Sequence, residues 1–297
     1  MALKDIIGQD RATSIILRTL GNHKVPSAYL FSGESGIGKR YAAQNLAKAV
    51  NCLAPVMSLE PQGFNGGQTG RPVLMDACDK CISCKKIDSG THPDLLVIAP
   101  EKGEIRVGEI RNVEEALSFK PYEGRRKVVI IDDADTMNQS AANAFLKTLE
   151  EPPDESLLIL IAPNPDMLPD TIRSRCSCIR FVPLSPDSCE KVIREALEKP
   201  LSLAEQEQKK TMPPPSGIPT LVRLSMGRPG LALSSDMGKD RERFFSLLQG
   251  MLGVEHETWR DREDMEQWFD MLLILIRDLA VIRVAESRGE GYPGASA

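Results

Sequence analysis

Five short apolar runs punctuate the first part of the chain, at 28–32, 94–99, 127–132, 156–162 and 178–182, each of strand length and bounded by polar or turn residues. Between them, apolar positions recur with helical spacing over 40–50, 107–118 and 140–150. Strands that alternate with helices pair in parallel, because each crossover returns the chain to the same end of the sheet. Nearly continuous apolar strands also mean that both sheet faces are covered. The pattern predicts an α/β domain over residues 1–182, built on a parallel five-stranded sheet.

Two regions break this rhythm. Residues 53–77 are rich in Gly, Pro and Gln and read as an insertion that ends in a cysteine cluster. After Pro183 the strands stop. A helix is expected over 186–198, then a loop over 206–219 around Pro213, Pro214 and Pro215, then helix over 218–233, broken near Gly227 and Gly230. From 241 to 286 the pattern is helical again, most strongly apolar over 268–284, and the GEGYPGASA tail is expected to be disordered. The division predicted is therefore a core over 1–182, a small helical lid over 183–235 and a further helical unit over 236–297. No internal repeat is visible.

Composition narrows the class. Hydrophobic residues at 41% and charged residues at 27% suit a globular chain of two or three domains. No window approaches the roughly 18 apolar residues of a membrane span, and the N-terminus lacks the apolar core of a signal peptide, so a cytoplasmic chain with no membrane partner is expected. A net charge of −5 and 5% aromatic residues argue against a dedicated base-stacking surface, although basic footprints are local. Seven cysteines, clustered in a chain with no export signal, favour metal over disulfides.

Residues 33–40 read GESGIGKR, between an apolar strand and a helix, against the phosphate-loop pattern G-x-x-x-x-G-K-[ST]. Gly33, Gly36 and Gly38 would let backbone N–H groups turn toward phosphate oxygens at a helix N-terminus, and Lys39 would reach the β- and γ-phosphates. Arg40 stands where a hydroxyl normally ligates Mg²⁺, and a guanidinium has no lone pair for a metal. The segment KVVIIDDAD ends a strand in Asp132, as the Mg²⁺-holding aspartate of such sites does, and Asp133 follows where hydrolases usually carry glutamate. A glycine turn and an acidic strand end are the plain alternatives. The pairing of the two segments favours a nucleotide-type site with weakened hydrolysis, because catalytic geometry is sensitive to errors of about 1 Å.

Cys78, Cys81 and Cys84, with Cys52 upstream, offer four thiolates. Tetrahedral Zn²⁺ takes four such ligands at about 2.3 Å, and a closed shell is a structural site, not a catalytic one. A redox pair or unliganded thiols are the alternatives, but Lys80, Lys85 and Lys86 make this a poor apolar core. Cys176, Cys178 and Cys189 read as packing residues, and His23, His92 and His256 are too scattered for a metal role.

Three further segments, SGTHPD at 89–94, ANAFLKTLEEPP at 142–153 and TIRSRC at 171–176, follow in order. With the phosphate loop they resemble the bacterial clamp-loader subunits of the AAA+ superfamily, over residues 33–182. The resemblance implies an AAA+ core with a zinc module inserted within 52–84 on Cys52, Cys78, Cys81 and Cys84, a helical lid, and an all-α collar that joins subunits into a ring and is short here. It implies that Arg175 acts in trans, as an arginine finger on the nucleotide of a neighbouring subunit. Asn164 matches the sensor 1 region, although a loop asparagine before Pro165 reads equally well. Where ATPase subunits place the sensor 2 arginine, this chain has Gly230, and Arg228 is near but not aligned.

Within the family the chain is more similar to the delta-prime type than to the gamma/tau type. That type implies a rigid stator in the DNA polymerase III clamp loader, helping to load the sliding clamp onto primed DNA in replication. Its partners would be gamma/tau and delta subunits, the clamp and, through the complex, DNA. Structural zinc is the implied cofactor, and binding of ATP with Mg²⁺ is left open. A gamma/tau-type ATPase is the rival reading, and a metal-dependent nucleic-acid module is a rival of another class.

Overall fold

The computed structural model describes residues 2–59, 73–101, 103–198 and 218–234, with six isolated residues between 265 and 276. The loop expected up to residue 217, the tail and, apart from those six residues, the collar over 236–297 lie outside the described residues.

The sheet has five parallel strands: β1 (Ala28–Ser32), β4 (Leu95–Ile98), β5 (Lys127–Ile131), β6 (Ser156–Ala162) and β7 (Ser177–Arg180), in the spatial order β4-β5-β6-β1-β7. Side chains alternate across a strand, so each strand feeds two cores. Tyr29, Phe31, Val128, Ile130, Leu157, Ile159 and Ile161 enter one apolar layer, and Leu30, Val129, Ile131, Leu158 and Leu160 enter the other. Helices α1 (Asp10–Gly21) and α2 (Lys39–Asn51) cover the first layer, and α4 (Val107–Ser118) and α5 (Gln139–Glu150) the second. Every residue of β6 is buried, as expected of a central strand covered on both faces.

The elements predicted over 28–32, 107–118, 156–162 and 186–198 have those bounds in the structure. The last strand runs Ser177–Arg180 and not 178–182, because its ladder with β1 runs from Tyr29 opposite Ser177 to Ser32 opposite Arg180, where β1 ends; on this edge strand Ser177, Cys178 and Arg180 are exposed. Exposed Cys178 therefore corrects its reading as a packing residue, whereas Cys189 is buried. The insertion contains more than an irregular loop: β2 (Val56–Leu59) pairs antiparallel with β3 (Val73–Asp76), and α3 (Ile82–Asp88) is capped by Cys81 and carries Cys84. A one-turn helix, α6 (Asp170–Arg173), precedes β7, and α7 (Pro186–Glu198), α8 (Ile218–Ser225) and α9 (Pro229–Ser234) follow the sheet, in the region expected to be a lid.

Parallel strands give the sheet two unlike edges. At the C-terminal ends lie the turns after β1, β5 and β6, the usual place for ligands in open α/β sheets. At the N-terminal ends lie the segments that enter the strands.

Candidate functional site

The C-terminal edge gathers the predicted nucleotide residues. Gly33, Gly36 and Gly38 all have positive φ, and Gly38 caps α2 in a left-handed conformation. Lys39 is buried, and its Nζ donates to the carbonyls of Gly33 at 2.5 Å and Glu34 at 2.6 Å. Burial lowers its pKa, opposed by Asp133, Asp132 and Asp135. Arg40 Nη1 donates to Asp132 Oδ2 at 3.1 Å. Asp133 has φ 45°, and burial together with Asp132 and Asp135 raises its pKa. Asp135, which sequence reasoning missed, accepts the Asn164 backbone N–H at 3.0 Å, so the turns after β5 and β6 are tied together. Exposed Asn164 takes part through its backbone.

The residues present do not fit a Mg²⁺ site of the usual kind. Arg40 replaces the hydroxyl ligand, and its guanidinium pairs with the carboxylate that would face the metal. Positive charge is thereby supplied by the chain itself.

The lid closes on the same loop. Gly230 N–H donates to the Gly36 carbonyl at 2.8 Å, and a Cβ on Gly230 would lie 2.8 Å from Gly36 Cα. The position that the resemblance compares with an arginine is thus a backbone-to-backbone contact that admits no side chain without a shift. Arg228 Nε instead faces Glu34 Oε2 at 3.7 Å. Gln9, also missed, donates to the Val182 carbonyl at 2.7 Å and accepts the Val182 N–H at 3.2 Å, fixing the exit from the sheet.

Arg175 lies at the other edge, before β7. Phe181, beyond the far end of β7, is beside the phosphate loop: its carbonyl oxygen would lie 2.5 Å from a Cβ on Gly33. Strand β7, Ser177–Arg180, lies between them as extended chain, on the order of 13 Å, which is longer than one arginine side chain. The Arg175 side chain is 35% exposed. Its Nη1 donates to the Thr171 carbonyl at 2.9 Å, and its Nη2 to Glu150 Oε1 at 2.6 Å. Glu150 falls within the quoted ANAFLKTLEEPP segment, but nothing in its spacing points to Arg175.

The four predicted cysteines come together. Their sulfurs lie within 4.8 Å of one another, and Cys52 Sγ and Cys81 Sγ are 4.0 Å apart, against about 3.8 Å between ligands of a tetrahedral thiolate site with 2.3 Å bonds. Backbone N–H groups of Cys78, Cys81 and Cys84 point at Cys52, Cys78 and Cys81 Sγ at 3.3, 3.3 and 3.5 Å. Such donors favour thiolate. Burial works to raise the Cys81 pKa, but the N–H groups of Cys84 and Leu53 and the neighbouring thiols bring it down to about 6. Cys84 is pushed up, by burial first and then by Cys81. Cys52, the ligand most distant in sequence, is fully buried at the end of α2. The set can hold a metal ion.

Two polar clamps brace the strand-entry edge, and sequence reasoning missed both. Buried Lys48 on α2 binds Asp79 at 2.6 Å, between two of the cysteines, and Asp88 at 2.9 Å. Asp94, the last residue of SGTHPD, accepts the N–H groups of Tyr122, Glu123 and Gly124 at 2.6, 2.9 and 2.7 Å. His92 receives the Asp94 N–H on Nδ1 at 3.1 Å and meets Ser83 Oγ through Nε2 at 3.2 Å. It is a structural histidine.

No helix among the described residues is long and apolar enough to cross a membrane. Among curated proteins, the delta' subunit of DNA polymerase III from Bacillus subtilis is 36% identical over 182 residues, 61% of this chain and 50% of its own. The delta' subunit of Pseudomonas aeruginosa is 39% identical over 151 residues, 50% of this chain and 41% of its own. The tau subunit of Bacillus subtilis is 39% identical over 181 residues, 60% of this chain and 28% of its own. The chain thus spans half or less of the length of these relatives. A solved gamma subunit-related protein from Thermotoga maritima aligns over 88% of this chain and 96% of its own, at 20% identity and a TM-score of 0.43. The family model described as "DNA polymerase III, delta subunit" matches residues 8–185, more than half of the chain, and the chain belongs to that family.

Proposed function

We propose that the chain is a delta-prime-type subunit of a clamp loader. It lends Arg175 to the nucleotide site of a neighbouring subunit and does not hydrolyse ATP on its own phosphate loop. The observation that carries this reading is the position of Arg175: exposed, held at two points, and at the sheet edge opposite its own phosphate loop. Arg175 does not face its own phosphate loop, and on this reading it serves that of a neighbour. Chemically, a guanidinium stabilises charge on a transferring phosphoryl group, and such residues supplied in trans contribute on the order of 10³–10⁵ in rate.

The chain's own loop has its ammonium, its guanidinium and its lid engaged internally, through Lys39, Arg40–Asp132 and Gly36–Gly230. This favours the stator reading over a gamma/tau-type ATPase, although tau and gamma relatives are similar in sequence. Partners on this reading are gamma/tau- and delta-type subunits, the sliding clamp and, through the complex, primed DNA. Cys52, Cys78, Cys81 and Cys84 would hold a structural zinc ion that staples the insertion to α2, and the ion would take no part in the reaction. The proposed domain division is a core over 1–182, a lid over 183–235 and a collar over 236–297. Reconstitution tests the reading. The chain should co-purify with gamma/tau- and delta-type subunits, and the complex should load a clamp onto primed DNA only when the chain is included. A chain that stays apart, or loading that is unchanged without it, would overturn the proposal.

A further inference from the structure

Glu150 is the last residue of α5, and its carboxylate receives Arg175 Nη2 at 2.6 Å, while Nη1 is anchored on the carbonyl of Thr171 within α6. We propose that Glu150 is a positioning residue. It fixes the Arg175 guanidinium in the orientation in which a neighbouring subunit's nucleotide phosphate meets it. The inference rests on the reading of Arg175 as a group that acts in trans.

Magnitudes point to orientation and not to stability. Glu150 is 52% exposed and Arg175 35%, and ion pairs so exposed contribute little to folding. A free arginine on a surface, however, samples many rotamers, and misplacement of a reacting group by about 1 Å can cost on the order of 10²-fold in rate. Two anchors on separate elements remove that freedom. Both elements are rigidly based. Phe145 of α5 and Ile172 of α6 are fully buried in the same apolar layer, and Asn138 caps the other end of α5 by accepting the Ala141 N–H at 2.9 Å. A guanidinium has five N–H donors, and two are used here, so the fixed group still has donors for phosphate oxygens.

The test compares ATP turnover by the reconstituted complex carrying Glu150→Ala, Glu150→Gln, Arg175→Ala or the Glu150→Ala/Arg175→Ala pair, with assembly checked by size-exclusion chromatography. Glu150→Ala should lower kcat about 10- to 100-fold with KM for ATP unchanged. Glu150→Gln, which keeps the acceptor, should recover most of the rate. The double variant should be no slower than Arg175→Ala alone, because both changes remove one interaction. Near-normal kcat for Glu150→Ala beside a large loss for Arg175→Ala would overturn the role of Glu150. Losses that multiply in the double variant would also overturn it, since Glu150 would then act elsewhere. Normal turnover for Arg175→Ala would instead sink the underlying reading of that arginine, and this inference with it.

Discussion

The two edges of one sheet gather different charged groups. At the C-terminal edge, the groups that could receive phosphate are turned on each other: Lys39 on loop carbonyls, Arg40 on Asp132, and the Gly230 amide on Gly36. At the strand-entry edge, buried polar groups brace the backbone through Lys48, Asp94 and the four cysteines, and an exposed arginine is held outward. On the proposed reading, a phosphate-loop motif and a phosphate-directed arginine lie at opposite ends of the same domain. At each edge a guanidinium is paired with a carboxylate, Arg40 with Asp132 and Arg175 with Glu150, and the edges differ in that only the first pair sits beside the phosphate loop.

Breaking the metal site should have the largest effect on the braced edge. Cys81→Ser, or removal of metal by a chelator, should release about one zinc per chain and lower the unfolding midpoint by on the order of 10 °C. Metal analysis with thermal unfolding checks this, and a metal-free wild-type chain of unchanged stability would contradict it.

The Asp94 clamp comes next. Asp94→Ala would strip three part-buried N–H groups of their acceptor and should cost about 3 kcal/mol in denaturant unfolding. Burial works to raise the Asp94 pKa, but the amides of Tyr122, Glu123 and Gly124 outweigh it and hold the group below its ordinary value. A carboxyl with a depressed folded-state pKa stabilises the fold above the unfolded value, about 4. That stabilisation is lost as pH falls through the folded value. The gap between wild type and Asp94→Ala should therefore be constant near neutrality and close in acid below about pH 4. A gap that persists there would mean that the carboxylate charge is not what holds the clamp.

The smallest effect belongs to the closed edge. Gly230→Ala places a Cβ 2.8 Å from Gly36 Cα, which should displace the lid at a cost of about 1–3 kcal/mol. Turnover of the assembled complex should be unaffected, because the strand-entry edge is untouched. Loss of turnover in a folded Gly230→Ala complex would show that the two edges are not independent.

Much of this was legible from pattern alone. Apolar runs placed the sheet, because buried parallel strands carry almost no polar residues, and the cysteine cluster named four thiols that do come together. Helix α1 was not among the expected elements, although Ala12, Ile16, Leu17 and Leu20 are buried at helical spacing. The pairings that matter most were not legible. Glu150 lies 25 residues before Arg175, Lys48 31 before Asp79, and Asp94 30 before Gly124, and such contacts exist only once the sheet brings its entry segments together. The partnership of Arg40 with Asp132, 92 residues apart, was hidden for the same reason, although the missing hydroxyl was plain.

On the proposed reading, Arg175 carries the function and the phosphate loop does not. The most direct test is ATP turnover by the reconstituted complex, with Lys39→Ala and Arg175→Ala introduced separately into this subunit and assembly verified for both. The account predicts near-normal turnover for Lys39→Ala and a loss on the order of 10³-fold or more for Arg175→Ala. Collapse with Lys39→Ala and normal turnover with Arg175→Ala would contradict it, and the chain would be an ATPase in its own right.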